Sequence, residues 1–316
     1  MAPWLSVLMP TFNGARYLAA ALDSIVEQGD AGIEVVVADD GSTDGTLDLL
    51  RQYQDRLALR IVQEARVGNW VAGTNVALRA AVGEYACLLH QDDFWLPGRA
   101  AAVRNARPFS LLVHPARFIG SSGEPLGHWR TPLPAGTVAP ADFIERLLVQ
   151  NFLASPSPVF PREAAVPDGL DEALWYLADW DLWLRLGARG PVRSLAEPLA
   201  TFRIHAASQT LSRERTAEDL LAQHRIVLAR HFPPWAAAVP GRHAERVRAA
   251  ADFSVALNVA LAEAWRGSGG AAAGLLPRFL RLGPAGWARY LRDSRLPERV
   301  WARLRARART SAPVRA

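Results

Sequence analysis

The N-terminal third of the chain alternates short apolar segments with amphipathic ones, and this alternation limits the folds that the chain can adopt. Apolar segments predict four buried strands, at residues 5–9, 33–38, 59–62 and 85–89. Segments whose apolar residues recur at helical spacing separate these strands. Apolar strands that alternate with helices are typical of a mostly parallel sheet with helices on both faces. The sequence therefore predicts an α/β fold.

Polar side chains follow three of the predicted strands, at the point where each strand ends. These side chains are Thr11 and Asn13, Asp39 and Asp40, and Asp92 and Asp93. Each turn by itself also has helix-capping chemistry. The carboxyl ends of parallel strands, however, meet at one edge of the sheet, where open α/β sheets bind ligands. Three clusters at this edge favour a binding site.

Asp92 and Asp93 are adjacent carboxylates at the end of an apolar strand. Two like charges side by side repel each other unless a cation or hydrogen-bond donors neutralise them. Mg²⁺ and Mn²⁺ prefer oxygen ligands and share them with phosphate, so a metal-bound diphosphate would satisfy this pair. The alternative is a solvated turn whose aspartate caps the helix that begins at Pro97.

Composition sets the broad class of the protein. The 316 residues are 50% hydrophobic and 21% charged, which is typical of a globular chain with one large or two small domains. Cys87 is the only cysteine, so no internal disulfide is expected. Because neither a signal peptide nor an uncharged apolar run of membrane-spanning length is visible, we expect a cytoplasmic protein.

The C-terminal part of the sequence is predicted to be mainly helical. Residues 177–186 form an amphipathic segment with Asp179 near its start. Towards the C-terminus Ala, Arg and Leu dominate at helical spacing, with a glycine-rich hinge at residues 267–270. We therefore predict an α/β domain over residues 1–210 and a helical, Arg- and Ala-rich extension over residues 211–316.

Four segments together resemble the family 2 glycosyltransferases, which have the GT-A (Rossmann-like) nucleotide-sugar-binding fold. They are residues 7–13 (VLMPTFN), 37–46 (VADDGSTDGT), 83–93 (GEYACLLHQDD) and 179–185 (DWDLWLR). One such segment is a weak signal, whereas four in this order and at this spacing are specific. The resemblance extends over most of the predicted α/β domain.

The resemblance implies a metal-dependent, inverting glycosyltransferase of the hexosyltransferase type. Such an enzyme moves a sugar from a nucleoside-diphosphate donor to a hydroxyl of a glycan or lipid-linked acceptor, with Mn²⁺ or Mg²⁺ as cofactor. The residue types suit this chemistry, because a bound cation stabilises the departing diphosphate and a carboxylate can take the acceptor's proton.

The nucleotide pocket of the family corresponds to the ends of the first two predicted strands. The resemblance implies that Phe12 stacks on the base and that Pro10 and Thr11 lie along the same pocket. It also implies that Asp40, with Asp39 beside it, accepts hydrogen bonds from the base or ribose.

The catalytic positions of the family correspond to residues further along the chain. Asp92 is implied to bind the metal that bridges the donor diphosphate, with Asp93 supporting it. Asp179 is implied to be the general base, and the free N–H groups at the start of its helix should keep it ionised. Arg203 and His205 match a position near the donor phosphates.

The chain departs from the family pattern at two positions. His90 stands where the family usually has the first acid of its D-x-D motif, so the predicted metal ligands are Asp92 and Asp93. His90 is a further ligand, a donor to a ligand, or a histidine satisfied by local hydrogen bonds. Thr74 precedes Asn75 where the family often has arginine, which puts one phosphate or structural contact in doubt.

Three tryptophans lie near Asp179 in the sequence, namely Trp175, Trp180 and Trp183. Aromatic rings stack well on the apolar faces of sugars, but they also pack in cores. Leucines flank Trp183, which favours the core for that residue. Trp180, adjacent to the predicted base, is the predicted acceptor contact.

The arginines near the C-terminus can be interpreted in two ways. Arg299, Arg303 and Arg307 recur every four residues, with Trp301 and Leu304 between them. This pattern predicts either a basic amphipathic helix on the inner face of the cytoplasmic membrane or a solvated helix. We expect no nucleic-acid partner, because no recognition motif accompanies the charge.

Two other functional classes remain open at this stage. A nucleotidyltransferase of similar sheet architecture also uses paired aspartates and Mg²⁺, but it usually needs a glycine-rich basic loop after the first strand, which residues 10–14 do not provide. An inactive nucleotide-sugar-binding protein is the second alternative. Retention of Asp40, Asp92 and Asp179 disfavours it.

Overall fold

The computed structural model describes residues 2–63, 65–205, 216–265 and 274–310, which form two sheets surrounded by helices. In chain order the strands are β1 (Leu5–Thr11), β2 (Ile33–Asp39), β3 (Ala58–Gln63), β4 (Tyr85–Leu88), β5 (Leu111–Val113), β6 (Ala116–Ile119), β7 (Pro125–Trp129), β8 (Gly136–Val138), β9 (Val159–Pro161), β10 (Val192–Ser194) and β11 (Ala200–Arg203).

The helices begin between the strands and continue to the C-terminal end of the described chain. They are α1 (Ala15–Val26), α2 (Thr46–Tyr53), α3 (Trp70–Ala80), α4 (Arg99–Asn105), α5 (Pro140–Val149), α6 (Arg162–Ala165), α7 (Ala178–Gly187), α8 (Ala217–Ala236), α9 (Gly241–Trp265), α10 (Leu275–Ser294) and α11 (Leu296–Thr310). Side chains cap two of them: Asn69 accepts the N–H of Val71 at the start of α3, and Thr216 and Asp219 form a capping box on α8.

The large sheet has the strand order β3-β2-β1-β4-β9-β5-β10-β8. Strand β1 pairs in parallel with β2 and β4, and β2 pairs in parallel with β3. On the other side, β9 runs antiparallel to β4 and β5, and β8 runs antiparallel to β10. The predicted mostly parallel sheet flanked by helices is confirmed.

Strands β1 and β2 are buried along their whole length. Side chains of a strand alternate between its two faces, so Leu8 and Val36 join the core on one face while Val7 and Val35 join the core on the other. A sheet with helices on both faces favours strands that are almost continuously apolar. This preference explains why these strands were visible in the sequence.

A three-stranded sheet with the order β11-β6-β7 was not predicted. Strands β6 and β11 of this sheet pair in parallel with each other instead of joining the large sheet. Strand β7 was missed because Pro125 at its start breaks the usual strand composition. Its last residue, Trp129, stacks on Phe118 with ring centres 5.0 Å apart.

The helical C-terminal extension is confirmed, and it packs against the α/β part. Val227 of α8 and Val247 of α9 belong to the same apolar core as Leu147 of α5. Helix α11 packs on β7 and buries Ala302 completely. The predicted boundary between residues 210 and 211 and the predicted hinge at 267–270 lie outside the described residues.

Asp181 links α7 to α8 through buried ionic contacts. Its carboxylate, fully shielded from solvent, accepts hydrogen bonds from Arg185 at 2.9 Å and Arg230 at 2.7 Å, and it lies 2.8 Å from Nε2 of His231. Burial by itself would raise the pKa of Asp181, but these donors outweigh burial and lower the pKa to about 2. The cluster therefore stabilises the fold while Asp181 is ionised.

We expect Asp181→Asn to lower the free energy of unfolding by roughly 3 kcal/mol near neutral pH, because Arg185 and Arg230 lose a fully buried carboxylate partner. The folded-state pKa lies below the unfolded value, so this contribution is complete above about pH 4 and is lost as the pH falls toward about 2. Urea unfolding of parent and variant, at neutral pH and in acid, measures the difference, which should shrink in acid.

Asp48→Asn is the matched control for this prediction. Asp48 pairs with Arg51 at the surface, where ion pairs contribute little, so its substitution should change stability only slightly. A difference between parent and Asp181→Asn that is the same at both pH values would contradict the role assigned to the ionised carboxylate.

Candidate active site

A pocket of about 260 Å³ opens at the carboxyl ends of β1, β2 and β4. Most of the residues predicted for a site line it together: Pro10, Thr11, Phe12, Asp40, Asp92, Asp93, Asp179, Arg203 and His205. Within the described residues, Asp39 and Trp180 lie outside this lining. The fold thus brings together side chains from both halves of the sequence.

Gln91 fixes the backbone of Phe12 in the pocket wall. Its Oε1 accepts the N–H of Phe12 at 2.9 Å, and its Nε2 donates to the Phe12 carbonyl at 3.1 Å. Gly14 permits this approach, because a Cβ there would collide with the Gln91 amide. The guanidinium of Arg66 lies 3.9 Å from the centre of the Phe12 ring. The sequence contains no local signal for either contact, since both join distant segments.

Asp39 and Asp40 have different surroundings, although they are neighbours in the chain. Asp39 accepts hydrogen bonds from the hydroxyls of Thr11 at 3.1 Å and Ser42 at 2.6 Å, so it ties the end of β1 to the loop after β2. Asp40 lines the pocket and accepts the N–H groups of residues 67–68 at 2.6 and 2.8 Å. Asp40 therefore faces the pocket, and Asp39 supports the loop behind it.

Asp92 and Asp93 lie in different environments, which shift the pKa values of the two carboxyl groups in opposite directions. Oδ2 of Asp92 lies 2.8 Å from Nε2 of His205. Burial would raise the pKa of Asp92, but the His205 hydrogen bond and the rings of His90 and His205 keep it below its usual value. Asp93 accepts the N–H of Arg203 at 2.7 Å, and burial together with the Asp92 charge raises its pKa well above the usual value. Asp92 is thus the ionised member of the pair.

Arg203 positions Asp92. Its Nε donates to the backbone carbonyl of Asp92 at 2.7 Å, and its Nη1 donates to the carbonyl of Gly120 at 2.9 Å. Its guanidinium also lies 4.6 Å from the ring centre of Tyr17. The contact of Arg203 with donor phosphates stays a prediction, because these hydrogen bonds already use part of its guanidinium.

His90 carries an available nitrogen at the same end of the pocket. Its Nε2 is shielded from solvent and has no hydrogen-bond partner in the described part of the chain, so local hydrogen bonds do not satisfy that atom. Burial lowers the pKa of His90, which keeps the ring neutral at neutral pH. The Asp92 carboxylate suits Mn²⁺ or Mg²⁺ arriving with a diphosphate, whereas the His90 imidazole is a poorer match for ions that prefer oxygen ligands.

A complete metal cage is absent from the described ranges. No three His, Cys, Asp or Glu side chains among these residues are grouped so that they alone could hold a metal ion. Mg²⁺ commonly binds through one or two carboxylates and completes its coordination with substrate phosphates and water. Asp92 fits this second arrangement, and the supporting role of Asp93 stays a prediction.

Asp179 lies near the start of α7 and faces the pocket. Its Oδ1 accepts the N–H of Trp180 at 2.6 Å and the amide of Asn151 at 3.4 Å. Although the carboxylate is partly open to the pocket, protein encloses its other sides, and this burial raises its pKa to about 6 against the effect of the two donors. The sequence predicted that the start of the helix would keep Asp179 ionised, but burial outweighs this effect on the pKa. The group nevertheless remains mostly ionised at neutral pH.

The structure corrects the predicted acceptor contact of Trp180. Its indole is only 3% exposed and donates to the carbonyl of Leu147 at 2.8 Å, so it belongs to the core. Adjacent positions of an α-helix point about 100° apart, which is why Trp180 turns away from the pocket that Asp179 faces. Trp175 and Tyr176, in the loop before α7, line the pocket instead.

Thr74 and Asn75 have structural roles in this chain. The hydroxyl of Thr74 is buried and donates to the carbonyl of Trp70 at 2.8 Å. The Asn75 amide accepts the N–H of Leu170 at 2.7 Å and donates to its carbonyl at 2.9 Å. Asn75 therefore holds the loop that leads to Asp179.

Arg299 and Arg303 of α11 line the pocket as well. Their four-residue spacing was visible in the sequence, and it correctly places them on one face of a helix. The surface that this face meets was not visible, because it depends on the packing of α11 against β7. The arginines predicted to contact a membrane therefore do not all lie on the outer surface, because Arg299 and Arg303 face the pocket.

Comparison with known proteins finds similarity to glycosyltransferases in sequence and in fold. Residues 6–106 match the family model described as Glycosyl transferase family 2. An uncharacterized protein of Mycobacterium tuberculosis is 28% identical over 216 residues, covering 64% of this chain and 59% of that protein. The Staphylococcus aureus poly(ribitol-phosphate) beta-N-acetylglucosaminyltransferase TarS is 38% identical over 140 residues, covering 42% of this chain and 24% of TarS.

Solved structures agree on the fold. The TarS 1–349 structure in complex with UDP-GlcNAc matches with a TM-score of 0.62 at 20% identity, covering 96% of this chain and 92% of that one. The mannosyltransferase PcManGT of Pyrobaculum calidifontis, in complex with GDP-Man and Mn²⁺, matches with a TM-score of 0.55 at 23% identity, covering 97% and 87%. The fold is the GT-A fold of nucleotide-sugar enzymes. Within this fold, residues 6–106 are similar to glycosyltransferase family 2.

We expect Asp179 to titrate near pH 6 in the folded protein, because burial raises its pKa to about that value. Asn151→Ala should raise the pKa further, since the carboxylate loses a donor. Carboxyl ¹³C NMR of the parent, assigned with Asp179→Asn, measures both values. Asp168→Asn, at an exposed aspartate, should leave the Asp179 titration unchanged. Titration of Asp179 near pH 4 would contradict the assignment.

Proposed function

We propose that the chain transfers a sugar from a nucleoside-diphosphate donor to a hydroxyl acceptor with inversion at the anomeric carbon. One observation carries this proposal: a single pocket holds the ionised Asp92, at the end of β4, and Asp179, whose pKa is about 6. The similar structures of TarS and PcManGT are complexes with UDP-GlcNAc and GDP-Man, respectively, which supports a donor of this kind. We propose a cell-surface glycan or lipid-linked intermediate as the acceptor.

The donor nucleotide is proposed to bind where β1 and β2 end. The Phe12 ring, fixed through Gln91, offers a stacking surface for the base. Arg66 lies against the same ring, so a base would either displace its guanidinium or leave it on the other ring face. Asp40 has lone pairs left beside its two backbone hydrogen bonds and can accept from the base or ribose.

The donor diphosphate is proposed to lie beside Asp92. A divalent metal held by Asp92, with His90 adjacent, would neutralise the diphosphate as it leaves. His205 fixes the orientation of the Asp92 carboxylate, and Arg203 fixes its backbone. These contacts hold the carboxylate in place before the donor arrives, which limits the ordering needed on binding.

Asp179 is proposed to act as the general base. The acceptor oxygen forms a bond to the anomeric carbon while the bond from that carbon to the diphosphate breaks, and the hydroxyl proton passes to Asp179. A carboxylate with a pKa near 6 is ionised at neutral pH and more basic than an ordinary aspartate. Asn151 and the Trp180 N–H orient this carboxylate.

The two rival classes are less consistent with the site. The loop after β1 contains Pro10 and Phe12 and is held by Gln91, so it does not provide the basic glycine-rich cradle of a nucleotidyltransferase. A carboxyl group with a raised pKa beside an open pocket is typical of a catalytic site, so Asp179 favours an enzyme over an inactive binding protein.

We expect a nucleoside diphosphate with Mn²⁺ to raise the melting temperature of the parent protein through mass action. Asp92→Ala should abolish the metal-dependent part, whereas Asp179→Asn should keep donor affinity and reduce sugar transfer by roughly 10² to 10⁴, the range for a lost general base. Calorimetry with UDP, GDP and Mn²⁺ measures binding, and transfer or slow hydrolysis of the corresponding nucleotide sugars measures turnover.

The two variants control for each other in this experiment. An Asp92→Ala protein that binds nucleotide and metal like the parent would remove Asp92 from the metal site. An Asp179→Asn protein with the parental rate would remove Asp179 from the mechanism, and one that fails to bind donor would make it a binding residue.

We also propose peripheral contact with an anionic membrane through α10 and α11, which would place the protein at the inner face of the cytoplasmic membrane. These helices expose large apolar side chains beside several arginines, namely Leu276, Leu280, Leu291, Trp301 and Leu304. Such a surface suits an interface that contains acidic lipids. None of the described helices is long and apolar enough to cross a bilayer.

We expect the parent to sediment with phosphatidylglycerol vesicles at low salt and to dissociate as salt rises, because exposed charges are screened. The double substitution of Trp301→Ser and Leu304→Ser should weaken sedimentation, since it removes the apolar part of the contact. Val82→Ser, at an exposed apolar residue of the α/β part, is the matched control. Equal sedimentation of all three proteins would leave α11 as a solvated helix.

A further inference from the structure

Helix α11 turns two arginines into the pocket. Arg299 and Arg303 lie one helical turn apart and line the same cavity as Asp92 and Asp179. Nη1 of Arg303 donates to the backbone carbonyl of Arg299 at 3.3 Å, and the Arg299 guanidinium lies 5.9 Å from the ring centre of Trp129. Packing of α11 on β7 therefore fixes both side chains at the pocket wall.

Arg299 has no charged partner in the described part of the chain. Its Nε and Nη1 atoms are shielded from solvent and have no hydrogen-bond acceptor there. The adjacent acid, Glu298, pairs instead with Arg130 at 3.2 Å and Arg295 at 3.8 Å. Burial and the charge of Arg303 lower the pKa of Arg299 to about 10, so it still carries its charge at neutral pH.

Two neighbouring cations without a carboxylate are costly in a folded protein. Desolvation and mutual repulsion both act against them, and a buried cation normally has a partner. Arg185 and Arg146 illustrate the usual arrangement, because they pair with the buried Asp181 and Asp293. Unpaired guanidinium groups at a cavity are suited to a phosphate or carboxylate, which they bind through paired hydrogen bonds.

The arginines belong to the part of the pocket that the C-terminal half builds. His224 of α8 and Asn258 of α9 line the same region, and burial together with the Arg299 charge lowers the pKa of His224 to about 4. Tyr176, which interacts electrostatically with Arg303, stands three residues before Asp179. The nucleotide region, by contrast, is formed by the ends of β1 and β2.

We infer that Arg299 and Arg303 bind an anionic group of the acceptor, either a phosphate or a carboxylate, close to the hydroxyl that Asp179 deprotonates. This inference deepens the proposed function and rests on it. An acidic acceptor would neutralise both cations, whereas a neutral glycan would leave them unpaired in the acceptor-bound complex. The two arginines therefore select acidic acceptors, and they take no part in proton transfer.

The test uses the full chain saturated with the nucleoside diphosphate that binds it best. Glycerol 1-phosphate and glucuronate serve as anionic probes, and glycerol and glucose serve as their neutral counterparts. Calorimetry should show that the parent binds at least one anion and neither neutral probe. Arg299→Gln and Arg303→Gln should each weaken anion binding about tenfold or more, as expected for a lost charge-assisted hydrogen bond. The probe that binds tells a phosphate acceptor from a uronic acid.

Two further measurements separate the possible outcomes. Arg246→Gln, at an exposed arginine of α9, should bind the anions like the parent. Melting temperatures of Arg299→Gln and Arg303→Gln should equal or exceed that of the parent, because each removes an unpaired cation. A clear loss of melting temperature in both variants would make the arginines structural and overturn the inference.

The result for the nucleotide distinguishes this inference from the proposed function. A parent that binds nucleoside diphosphate but neither anion overturns the inference alone. Variants that lose nucleotide affinity instead of anion affinity would assign the arginines to the donor phosphates, and this also overturns it. A parent that binds no nucleoside diphosphate overturns the proposed function itself.

Discussion

The site depends on how two adjacent carboxylates are accommodated at the end of β4. Asp92 and Asp93 could not both be ionised at such close range inside a protein without strong compensation. The end of β11 decides which of the two keeps its charge, because the ring of His205 bonds to Asp92, whereas the backbone N–H of Arg203 bonds to Asp93. The same contacts join the small sheet to the large one. The same two contacts therefore determine the charge at the site and attach the second sheet.

The pocket is built by two parts of the chain with different tasks. The loops after β1 and β2 are tied together by side chains such as Asp39 and Gln91, which leaves Phe12 and Asp40 facing the cavity. The C-terminal helices supply the remaining wall, including Arg299 and Arg303. The helical extension also shares the apolar core with α5. Its packing therefore helps to form the pocket.

Burial decides the chemistry of both key carboxylates, in opposite directions. Asp92 has a histidine partner, so its pKa stays low despite burial, and it is suited to a cation. Asp179 has only neutral donors, so burial dominates and raises its pKa to about 6. Two aspartates of one pocket thus have different pKa values because their partners differ, which is consistent with the two different roles proposed for them.

The sequence by itself determined the α/β class, the four parallel strands and the carboxylates at their ends, because apolar strands and terminal clusters follow local rules of periodicity and sheet geometry. Only the tertiary structure decided that Trp180 packs in the core, that Asp39 ties the end of β1 to the loop after β2, and that Gln91 holds Phe12. The same is true of the inward face of α11, whose basic stripe suited a membrane as well as a pocket. These outcomes depend on contacts between segments far apart in the chain, and no local pattern of residues encodes such contacts.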